Sequence, residues 1–313
     1  MARRWVLPEY GGIDAIEFVD VEVPAPGPGE VRMRVTAVGV NPSDAKSLSG
    51  GWNADPSLLP VGIGQEASGI VTAVGEGASI ATGDVRVGDR VVAFKIAGAF
   101  ATELTVAASD VFALPDGVDD VTAAGLLHVG VVAAELLALS GAEAGQTLLV
   151  HGGAGSVGSL VVQLARRAGI RVVATASVAN QERLRALGAL PTTYGDGLAG
   201  RVRALAPEGV DAAIDAAGTD EALDVSLELV ADPARIATLA PGPRAKDAGV
   251  RISAGMAPAS IAFRMPQRAV VLGLAADGEL ELAIAGTFPI AEAKDALRLV
   301  ASGHAGGKVV LTV

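Results

Sequence analysis

Cysteine is absent from this chain of 313 residues, and histidine occurs only at His128, His151 and His304. The lack of cysteine excludes disulfide bonds and thiolate metal sites, and three histidines are too few for an ordinary zinc site. Basic residues are also in the minority, with 24 Lys and Arg against 35 Asp and Glu and a net charge of −11. Because nucleic-acid binding requires a basic face, this balance predicts a soluble protein that acts on small molecules.

Long hydrophobic runs are lacking as well. No apolar segment follows the two arginines of the opening MARRWVLPEY, which therefore does not resemble a secretory signal. The longest uncharged stretch, residues 144–165, contains Gln146, His151, Gln163 and several glycines, so it indicates strand, loop and helix rather than a membrane span. We expect a cytoplasmic protein with no membrane partner and no nucleic-acid partner.

The chain is long enough for two domains, and its pattern changes near residue 120. Before that point, short β-rich runs alternate with turn signals such as NPSD and VGD, which is typical of a barrel-like β domain. A long apolar helix follows from Val121, and a β-rich segment, GKVVLTV, closes the chain at 307–313. This last segment indicates that the chain returns to the first domain. We predict one domain over 1–118 and 251–313 and another over 119–250.

Strand and helix patterns alternate in the middle of the chain. TLLVH at 147–151 and RVVATA at 171–176 are typical of buried strands, and helical patterns follow at 159–169 and 180–189. Such alternation predicts a parallel sheet covered by helices, as in a doubly wound α/β domain.

A glycine-rich segment, VHGGAGSVGS, lies at the first of these strand-to-helix turns. The spacing G-x-G-x-x-G is expected by chance roughly 0.6 times in a chain so rich in glycine, so its position carries the argument. In a dinucleotide site Gly153 permits the tight bend, Gly155 admits the pyrophosphate and Gly158 lets the helix pack closely. The N–H groups of the helix start, at Ser156 and Val157, would face the anion. The alternative is a glycine loop without a ligand.

The end of the second strand bears on which dinucleotide binds. An NAD site places an acidic residue there, but this chain reads ATAS at 174–177, and its next acid, Glu182, lies in the following helix. Ser177 can donate a hydrogen bond to a 2′-phosphate, and Arg183, or less directly Asn180, can neutralise its charge. The sequence therefore favours NADP over NAD, with a solvated helix face as the alternative for Arg183.

Two other enzyme classes fail simple tests. A short-chain dehydrogenase needs Tyr-x-x-x-Lys, but the fourth residue after Tyr10 is Asp14 and the fourth after Tyr194 is Leu198. A Walker loop needs Gly-Lys followed by Ser or Thr, whereas Lys308 is followed by valine.

Seven stretches, spread over nearly the whole chain, carry a resemblance to a known family. They are, in order, PGPGEVRMRVTAVGVNPSDAK, GQEASGIVTAVGEG, VGDRVVAF, GAFATE, LPDG, AGQTLLVHGGAGSVGSLVVQLAR and FPIAEAKDALRLVASGHAGGKVVL. Together they resemble the zinc-independent quinone oxidoreductases of the medium-chain dehydrogenase/reductase superfamily. This resemblance implies a GroES-like β-barrel catalytic domain made from both chain ends, a Rossmann domain inserted into it, and an active site in the cleft between them.

The chain departs from the zinc-dependent branch of that superfamily in ways that bear on chemistry. Asn41 stands where that branch has its first zinc-ligand cysteine, and Gln65, before Glu66, stands where it has a histidine. The structural zinc lobe is missing. Without zinc there is no Lewis acid to lower the pKa of an alcohol. The resemblance therefore implies hydride transfer from NADPH to a quinone or an α,β-unsaturated carbonyl.

The resemblance also implies two catalytic residues. Asn41 corresponds to an asparagine beside the nicotinamide, with an Asn-Pro turn as the alternative. His128 aligns with the third zinc-ligand position. One imidazole cannot hold zinc, but near the nicotinamide it can protonate the reduced acceptor. The alternative for His128 is a buried, hydrogen-bonded residue of an apolar helix.

For the cofactor, Tyr194 and Ser177 match residues that hold the 2′-phosphate in relatives, whereas Asn180 replaces their usual lysine. Val132 stands where relatives often have a threonine near the carboxamide. Two residues at the end of the last Rossmann strand are expected to line the nicotinamide pocket, namely Leu239 and Ala240.

The predicted function is NADPH-dependent reduction of a quinone or an enone. A nucleotide-binding protein with little catalysis and an enoyl reductase are the alternatives. Loops 48–60 and 241–260 are expected to shape the acceptor pocket, and a homodimer is expected by analogy with the family.

Overall fold

β-Structure occupies the sequence on both sides of a central stretch of alternating strands and helices. The structure, a computed structural model, describes residues 1–50 and 54–313, so part of the predicted acceptor loop 48–60 lies outside the described residues. The chain forms two compact units. The first comprises Met1–His128, Leu272–Asp277 and Leu282–Val313, and the second comprises Val129–Val271 and Gly278–Glu281.

The first unit is built on a seven-stranded sheet and a three-stranded sheet. The larger sheet has the order β15-β16-β3-β5-β6-β8, with β7 also paired to β3, and the smaller has the order β2-β1-β4. The strands are β1 Ala2–Leu7, β2 Glu17–Val21, β3 Glu30–Val40, β4 Val61–Gly62, β5 Glu66–Val74, β6 Arg90–Phe94, β7 Glu103–Ala107, β8 Val111–Ala113, β15 Ile284–Pro289 and β16 Lys308–Thr312.

The longest strand, β3, carries the centre of this unit. Along its first half the buried residues Val31, Met33 and Val35 alternate with less buried ones, as expected for a strand with one face on the core. The terminal strand β16 pairs antiparallel with it, Val309 opposite Val40, so the predicted return of the chain end is confirmed.

Helices α1, at Pro42–Ser47, and α9, at Ala293–Ala301, lie wholly within the first unit. Asn41 and Asp44 form a capping box at the start of α1, and a proline in the first turn fits the fixed φ that a helix start requires. In α9, the buried residues Ala293, Ala296, Leu297 and Val300 recur at helical spacing, so one face of the helix joins the core.

The second unit contains a six-stranded, all-parallel sheet with the order β11-β10-β9-β12-β13-β14. This is the strand order of a Rossmann domain, so the predicted doubly wound sheet is confirmed. The strands are β9 Thr147–His151, β10 Arg171–Thr175, β11 Leu190–Thr192, β12 Ala212–Asp215, β13 Ile236–Thr238 and β14 Arg251–Ile252.

Helices connect these strands and extend the fold at both ends of the central stretch. Apolar side chains from the sheet and the helices, including Leu149, Val173, Val202 and Ile236, form the core of the second unit. The helices are α2 Asp120–Ser140, α3 Ser156–Arg167, α4 Gln181–Ala186, α5 Leu198–Leu205, α6 Asp220–Leu229, α7 Pro243–Asp247 and α8 Pro258–Ala276.

The changes of unit do not coincide with the predicted domain limits at 118 and 250. Arg251 and Ile252 form β14 and pair with β13, so the parallel sheet continues past position 250. A strand of two residues is too short to produce a periodic pattern, which is why the sequence did not indicate it. The assignment of functional domains to 1–118 with 251–313 and to 119–250 stays a prediction.

The helix α2 consists mostly of apolar residues. Among the described residues it alone is long and apolar enough to cross a membrane, and 67% of its most apolar 18-residue window is buried inside the fold. The uncharged stretch 144–165 forms β9, the glycine loop and most of α3, in agreement with its sequence pattern.

Candidate functional site

The glycine loop joins the central strand β9 to α3. The chain turns at Gly152, whose φ of +71° lies in the left-handed region. The N–H of Gly152 donates to Thr175 Oγ1 at 3.1 Å, and the N–H of Gly153 donates to the Thr175 carbonyl at 2.8 Å. The loop is therefore fixed against the end of β10, and the left-handed residue is Gly152, one position before the residue to which the motif assigns the bend.

Each glycine of the motif meets a different environment. A Cβ on Gly153 would lie 2.8 Å from the Cβ of Ala174, and one on Gly158 would overlap the carbonyl oxygen of Gly152. These two positions therefore require glycine for the packing of the protein itself. A Cβ on Gly155 would meet only the Gly152 carbonyl oxygen, at 3.4 Å. The space beside Gly155 is open, as a phosphate cradle requires.

The start of α3 offers donors to an anion. Gly155 is the N-cap residue, and within the described part of the chain no side chain caps the helix. The first N–H groups of a helix have no partner inside the helix, and the helix dipole favours negative charge at this end. Ser156 and Val157 form the first turn, so their N–H groups are suited to bind a phosphate.

The spacing G-x-G-x-x-G occurs a second time, at Gly195, Gly197 and Gly200, before α5. There the N–H of Gly195 donates to both carboxylate oxygens of Glu221, at 2.9 and 3.1 Å. The protein therefore supplies its own anion to the second motif. The loop after β9 has no such internal carboxylate on its amides in the described residues, which distinguishes two motifs that are identical in spacing.

The strand ends next to the loop contain the residues predicted to bind a 2′-phosphate. Ser177 follows β10, and its Oγ accepts a hydrogen bond of 3.0 Å from Asn180 Nδ2. Gln181 Nε2 donates to the carbonyls of Ala176, Ser177 and Thr192, which ties the ends of β10 and β11 together. Ser177 and the segment that leads to Tyr194 therefore lie at one edge of the sheet.

Arg183 points toward the glycine loop rather than into solvent. Its Nη1 donates to the Ala154 carbonyl at 3.1 Å, and burial lowers the pKa of its guanidinium. Tyr194 is 58% exposed, and Arg201 Nη2 donates to its carbonyl and to the carbonyls of Thr193 and Gly195. The guanidinium of Arg183 therefore lies at the glycine loop, and the exposed phenol of Tyr194 lies on a turn held by hydrogen bonds from Arg201.

Leu239 and Ala240 directly follow β13, at the carboxyl edge of the sheet. The N–H of Leu239 donates to the Asp215 carbonyl, and the N–H of Ala240 donates to Thr238 Oγ1. His151 ends β9 on the same edge. Burial lowers the pKa of His151 to about 4, although the carboxylates of Asp215 and Glu221 act in the opposite direction.

In the first unit, Asn41 is buried, and protein groups hold both ends of its carboxamide. It is 1% exposed, its Nδ2 donates to Glu66 Oε1 at 2.9 Å, and its Oδ1 accepts from Lys308 Nζ at 2.6 Å. Its backbone N–H donates to Asp44 Oδ2 at 2.8 Å. The predicted Asn-Pro turn is also present, because Asn41 is the N-cap residue of α1.

Glu66 connects Asn41 to His128. Its Oε1 accepts from Asn41 and from Lys308 Nζ at 2.7 Å, and its Oε2 accepts from the backbone N–H of His128 at 3.0 Å. The His128 ring meets Phe94 edge-on with centroids 5.6 Å apart. We refer to Asn41, Asp44, Glu66 and Lys308, together with the His128 amide, as the Glu66 cluster.

The two carboxylates of the Glu66 cluster respond differently to burial. For Glu66, burial acts to raise the pKa, but the Lys308 ammonium, His128 and the hydrogen bonds outweigh it and lower the pKa. For Asp44, burial raises the pKa to about 6 in spite of hydrogen bonds from the Asn41 backbone and Gln65. Glu66 is therefore ionised at neutral pH, whereas the carboxyl group of Asp44 titrates at a pH close to neutral.

The sequence analysis did not identify Asp44, Glu66 or Lys308 as functional residues. Lys308 entered only through the failed test for a Walker loop, and Glu66 only as the neighbour of Gln65. The one signal for Asp44 was its position three residues after Asn41, where a capping-box carboxylate is expected. Across 1–50 and 54–313, no group of three or more His, Cys, Asp or Glu side chains is arranged to hold a metal ion.

Comparison with protein families gives two matches. Residues 27–116 match the alcohol dehydrogenase GroES-like domain, and residues 194–311 match a family described as zinc-binding dehydrogenase. The GroES-like fold predicted for the first unit is thereby confirmed.

Individual relatives extend over nearly the whole chain. The sequence is 30% identical to the chloroplastic NADPH-dependent alkenal/one oxidoreductase of Arabidopsis thaliana, over 99% of this chain and 79% of that protein. A mycobacterial protein, Rv1454c, solved in complex with NADPH, is 32% identical with a TM-score of 0.84, over 99% of this chain and 100% of that one. The quinone oxidoreductase of Pseudomonas syringae pv. Tomato DC3000 is 28% identical with a TM-score of 0.85, over 100% of both chains.

Proposed function

Since the chain belongs to the zinc-independent quinone oxidoreductase family of the medium-chain dehydrogenase/reductase superfamily, we propose that it is an NADPH-dependent oxidoreductase whose acceptor is a quinone or an α,β-unsaturated carbonyl compound. The observation that carries this proposal is the uncapped start of α3 beside the open Gly155, next to a strand end that has no carboxylate. NADPH, when bound, supplies the hydride.

The second unit binds the cofactor in this proposal. Gly153, Gly155 and Gly158 shape the loop, and the N–H groups of Ser156 and Val157 hold the pyrophosphate. At the adjacent strand end, the hydroxyl of Ser177, the guanidinium of Arg183 and the phenol of Tyr194 receive the 2′-phosphate. The contact between Arg183 and the Ala154 carbonyl supports this role, because it keeps the cation at the loop. Leu239 and Ala240 line the nicotinamide pocket.

Asn41 and His128 are the proposed catalytic residues. Asn41 orients the cofactor, using the N–H of Nδ2 that remains after one is donated to Glu66. His128 supplies the proton that the reduced acceptor takes up, a role that suits an imidazole at neutral pH. Replacing His128 by Asn tests this role, since a turnover number that keeps its value at every pH would remove His128 from the reaction.

The side chains of the first unit support a reaction without zinc. Asn41 and Gln65 stand where the zinc-dependent branch has ligands, and Lys308 Nζ lies within hydrogen-bond distance of both Asn41 and Glu66. A buried ammonium at this place repels a divalent cation, so we propose that the reaction proceeds without zinc. Activity that is unchanged after dialysis against a chelator is the expected result.

We further propose a cytoplasmic homodimer that acts without membrane or nucleic-acid partners. The edge strand β14 and the exposed side chains of Met256, Met265 and Val270 support self-association. The absence of cysteine and the net charge of −11 favour a reducing compartment and disfavour nucleic acid. Sedimentation equilibrium tests the dimer, and cell fractionation tests the location.

Steady-state oxidation of NADPH tests the activity. A panel of 9,10-phenanthrenequinone, 2-hexenal and a saturated aldehyde is expected to show turnover with the first two compounds and none with the third. NADPH binding without turnover on any acceptor would replace this proposal by a nucleotide-binding role with little catalysis. If the protein bound NADH as tightly as NADPH, the proposed 2′-phosphate site would be contradicted.

A further inference from the structure

An ion pair is buried at the centre of the first unit. Lys308 Nζ lies 2.7 Å from Glu66 Oε1, and the two side chains are 2% and 0% exposed. The residues come from β16 and β5, separated by 242 positions in the sequence. Both charges have left water entirely, so their free energy depends on the partners that the protein supplies.

Those partners are the two residues proposed to act in the reaction. Lys308 donates to Asn41 Oδ1, and Asn41 Nδ2 donates in turn to Glu66 Oε1. The second carboxylate oxygen of Glu66 accepts from the His128 amide. Asn41 is therefore held at both ends of its carboxamide, and the turn of α2 that carries His128 is held to the same carboxylate.

Two glycines make room for the pair. A Cβ on Gly39 would overlap Glu66 Oε1 and the Ala124 carbonyl, and a Cβ on Gly125 would lie 2.7 Å from Lys308 Cγ. Gly39 is a strand residue and Gly125 a helix residue, and glycine weakens both kinds of element. The fold therefore accepts two unfavourable residues around this pair.

Stability alone does not account for this arrangement. Replacing a buried ion pair by uncharged residues of similar volume is often neutral or stabilising, because the charges have to be desolvated. What the charged pair adds is a defined geometry. We propose that Glu66 and Lys308 are positioning residues of the reductase reaction, which set the orientation of the Asn41 carboxamide and of the α2 turn at His128. This inference rests on the proposed function.

Three variants test the inference. Lys308→Met leaves Glu66 without its counter-ion, Glu66→Gln removes the carboxylate, and the double variant carries no charge at either position. Turnover with NADPH and 9,10-phenanthrenequinone is expected to fall about tenfold to a hundredfold in all three, because small displacements of reacting groups cost factors of this size. The KM for NADPH is expected to stay within about twofold, since the loop after β9 is unchanged.

The double variant separates positioning from stability. Without charge it is expected to regain much of the melting temperature lost in the single variants, but not the turnover number. The matched control removes the Arg32–Glu103 pair across β3 and β7 of the same unit, through Arg32→Met with Glu103→Gln. That pair is partly exposed and touches neither Asn41 nor His128, so turnover is expected to match the unmodified protein.

Hydrogen exchange gives a readout that needs neither cofactor nor acceptor. In Glu66→Gln, the peptide containing the His128 amide is expected to exchange about tenfold faster, while peptides from β3 and β16 keep their rates.

The outcomes distinguish this inference from the proposed function. An unmodified protein that binds NADPH but reduces no acceptor would overturn both. An active protein overturns the inference alone if the double variant recovers its turnover number along with its melting temperature. Equal acceleration of exchange across the whole first unit would also overturn it, because the pair would then act only on stability.

Discussion

The glycine loop of the second unit and the Glu66 cluster of the first unit handle charge in opposite ways. The loop lies within a few consecutive residues and offers backbone N–H groups to an anion from outside. The Glu66 cluster gathers side chains from β5, β16 and the start of α1, and satisfies its charges internally. The donors of the glycine loop thus come from one local turn. The side chains of the Glu66 cluster, which hold one another in place, come from distant segments of the sequence.

The two regions also differ in what can break them. The loop is sensitive to volume, because Gly158 packs against a backbone carbonyl. The Glu66 cluster is sensitive to charge, because its carboxylate and ammonium are fully buried. Substitutions that change one property and leave the other intact therefore test the comparison.

The largest expected effect is on the Glu66 cluster. Lys308→Met leaves an uncompensated carboxylate inside the protein, which is expected to lower the free energy of unfolding by about 4 kcal/mol. Urea denaturation followed by circular dichroism measures this change. A loss below about 1 kcal/mol would mean that the Glu66 carboxylate is satisfied by Asn41 and the His128 amide alone.

The next effect concerns the glycine loop. In Gly158→Ala the new methyl group overlaps the Gly152 carbonyl, so the start of α3 has to move away from the glycine loop at a cost of about 3 kcal/mol. Gly155→Ala is the matched control, because its methyl group reaches only ordinary contact. That variant is expected to keep its melting temperature but to bind NADPH more weakly in a fluorescence titration. If both variants melt like the unmodified protein, the close approach of α3 to the glycine loop is not required.

A third effect depends on pH. Burial raises the pKa of Asp44 from its ordinary 3.8 to about 6. The folded state therefore binds more protons than the unfolded state between these values, and stability falls as the pH rises through them. Asp44→Asn is expected to match the unmodified protein near pH 4 and to be more stable by about 3 kcal/mol at pH 8, since each pKa unit corresponds to about 1.4 kcal/mol.

Asp55 provides a control of opposite sign for this experiment. Hydrogen bonds from the Ser57 side chain and backbone lower the pKa of the exposed Asp55 carboxylate. The stability that the ionised Asp55 carboxylate contributes is present above its ordinary pKa and is lost as the pH falls below it. Asp55→Asn is therefore expected to be slightly less stable at pH 8, when melting temperatures are compared across pH. If both variants were more stable than the unmodified protein at pH 8, the change in net charge, rather than burial, would explain the effect of Asp44→Asn.

The smallest expected effect is on the choice of cofactor. Arg183→Gln removes the cation held at the Ala154 carbonyl and is expected to weaken NADPH binding about tenfold, or about 1.4 kcal/mol, while NADH binding stays unchanged. Arg185→Gln is the control, because that side chain lies on the same helix and pairs with Glu182. If Arg183→Gln weakened the binding of NADPH and NADH equally, Arg183 would act on the conformation of the glycine loop rather than on the 2′-phosphate.

Sequence reasoning succeeded where a pattern is local. β9 agrees with its prediction at both ends, because TLLVH is a continuous apolar run between turn residues. The two-residue strand β14 and the short helix α7 were not predicted, because neither is long enough to show a period. The role of Lys308 was invisible for another reason. It stands between a glycine and apolar strand residues, and its partner Glu66 is 242 positions away.

The sequence by itself determined the class of the fold, the glycine-rich turn between a buried strand and a helix, and the absence of an acidic residue after the second strand. These properties depend on residues that are adjacent or one helical turn apart, so a linear pattern contains them. Only the tertiary structure decided which of two identical glycine motifs keeps its amides open, and which carboxylate holds Asn41 and the His128 amide. Both depend on long-range packing, which brings a carboxylate to Gly195 and an ammonium to Asn41.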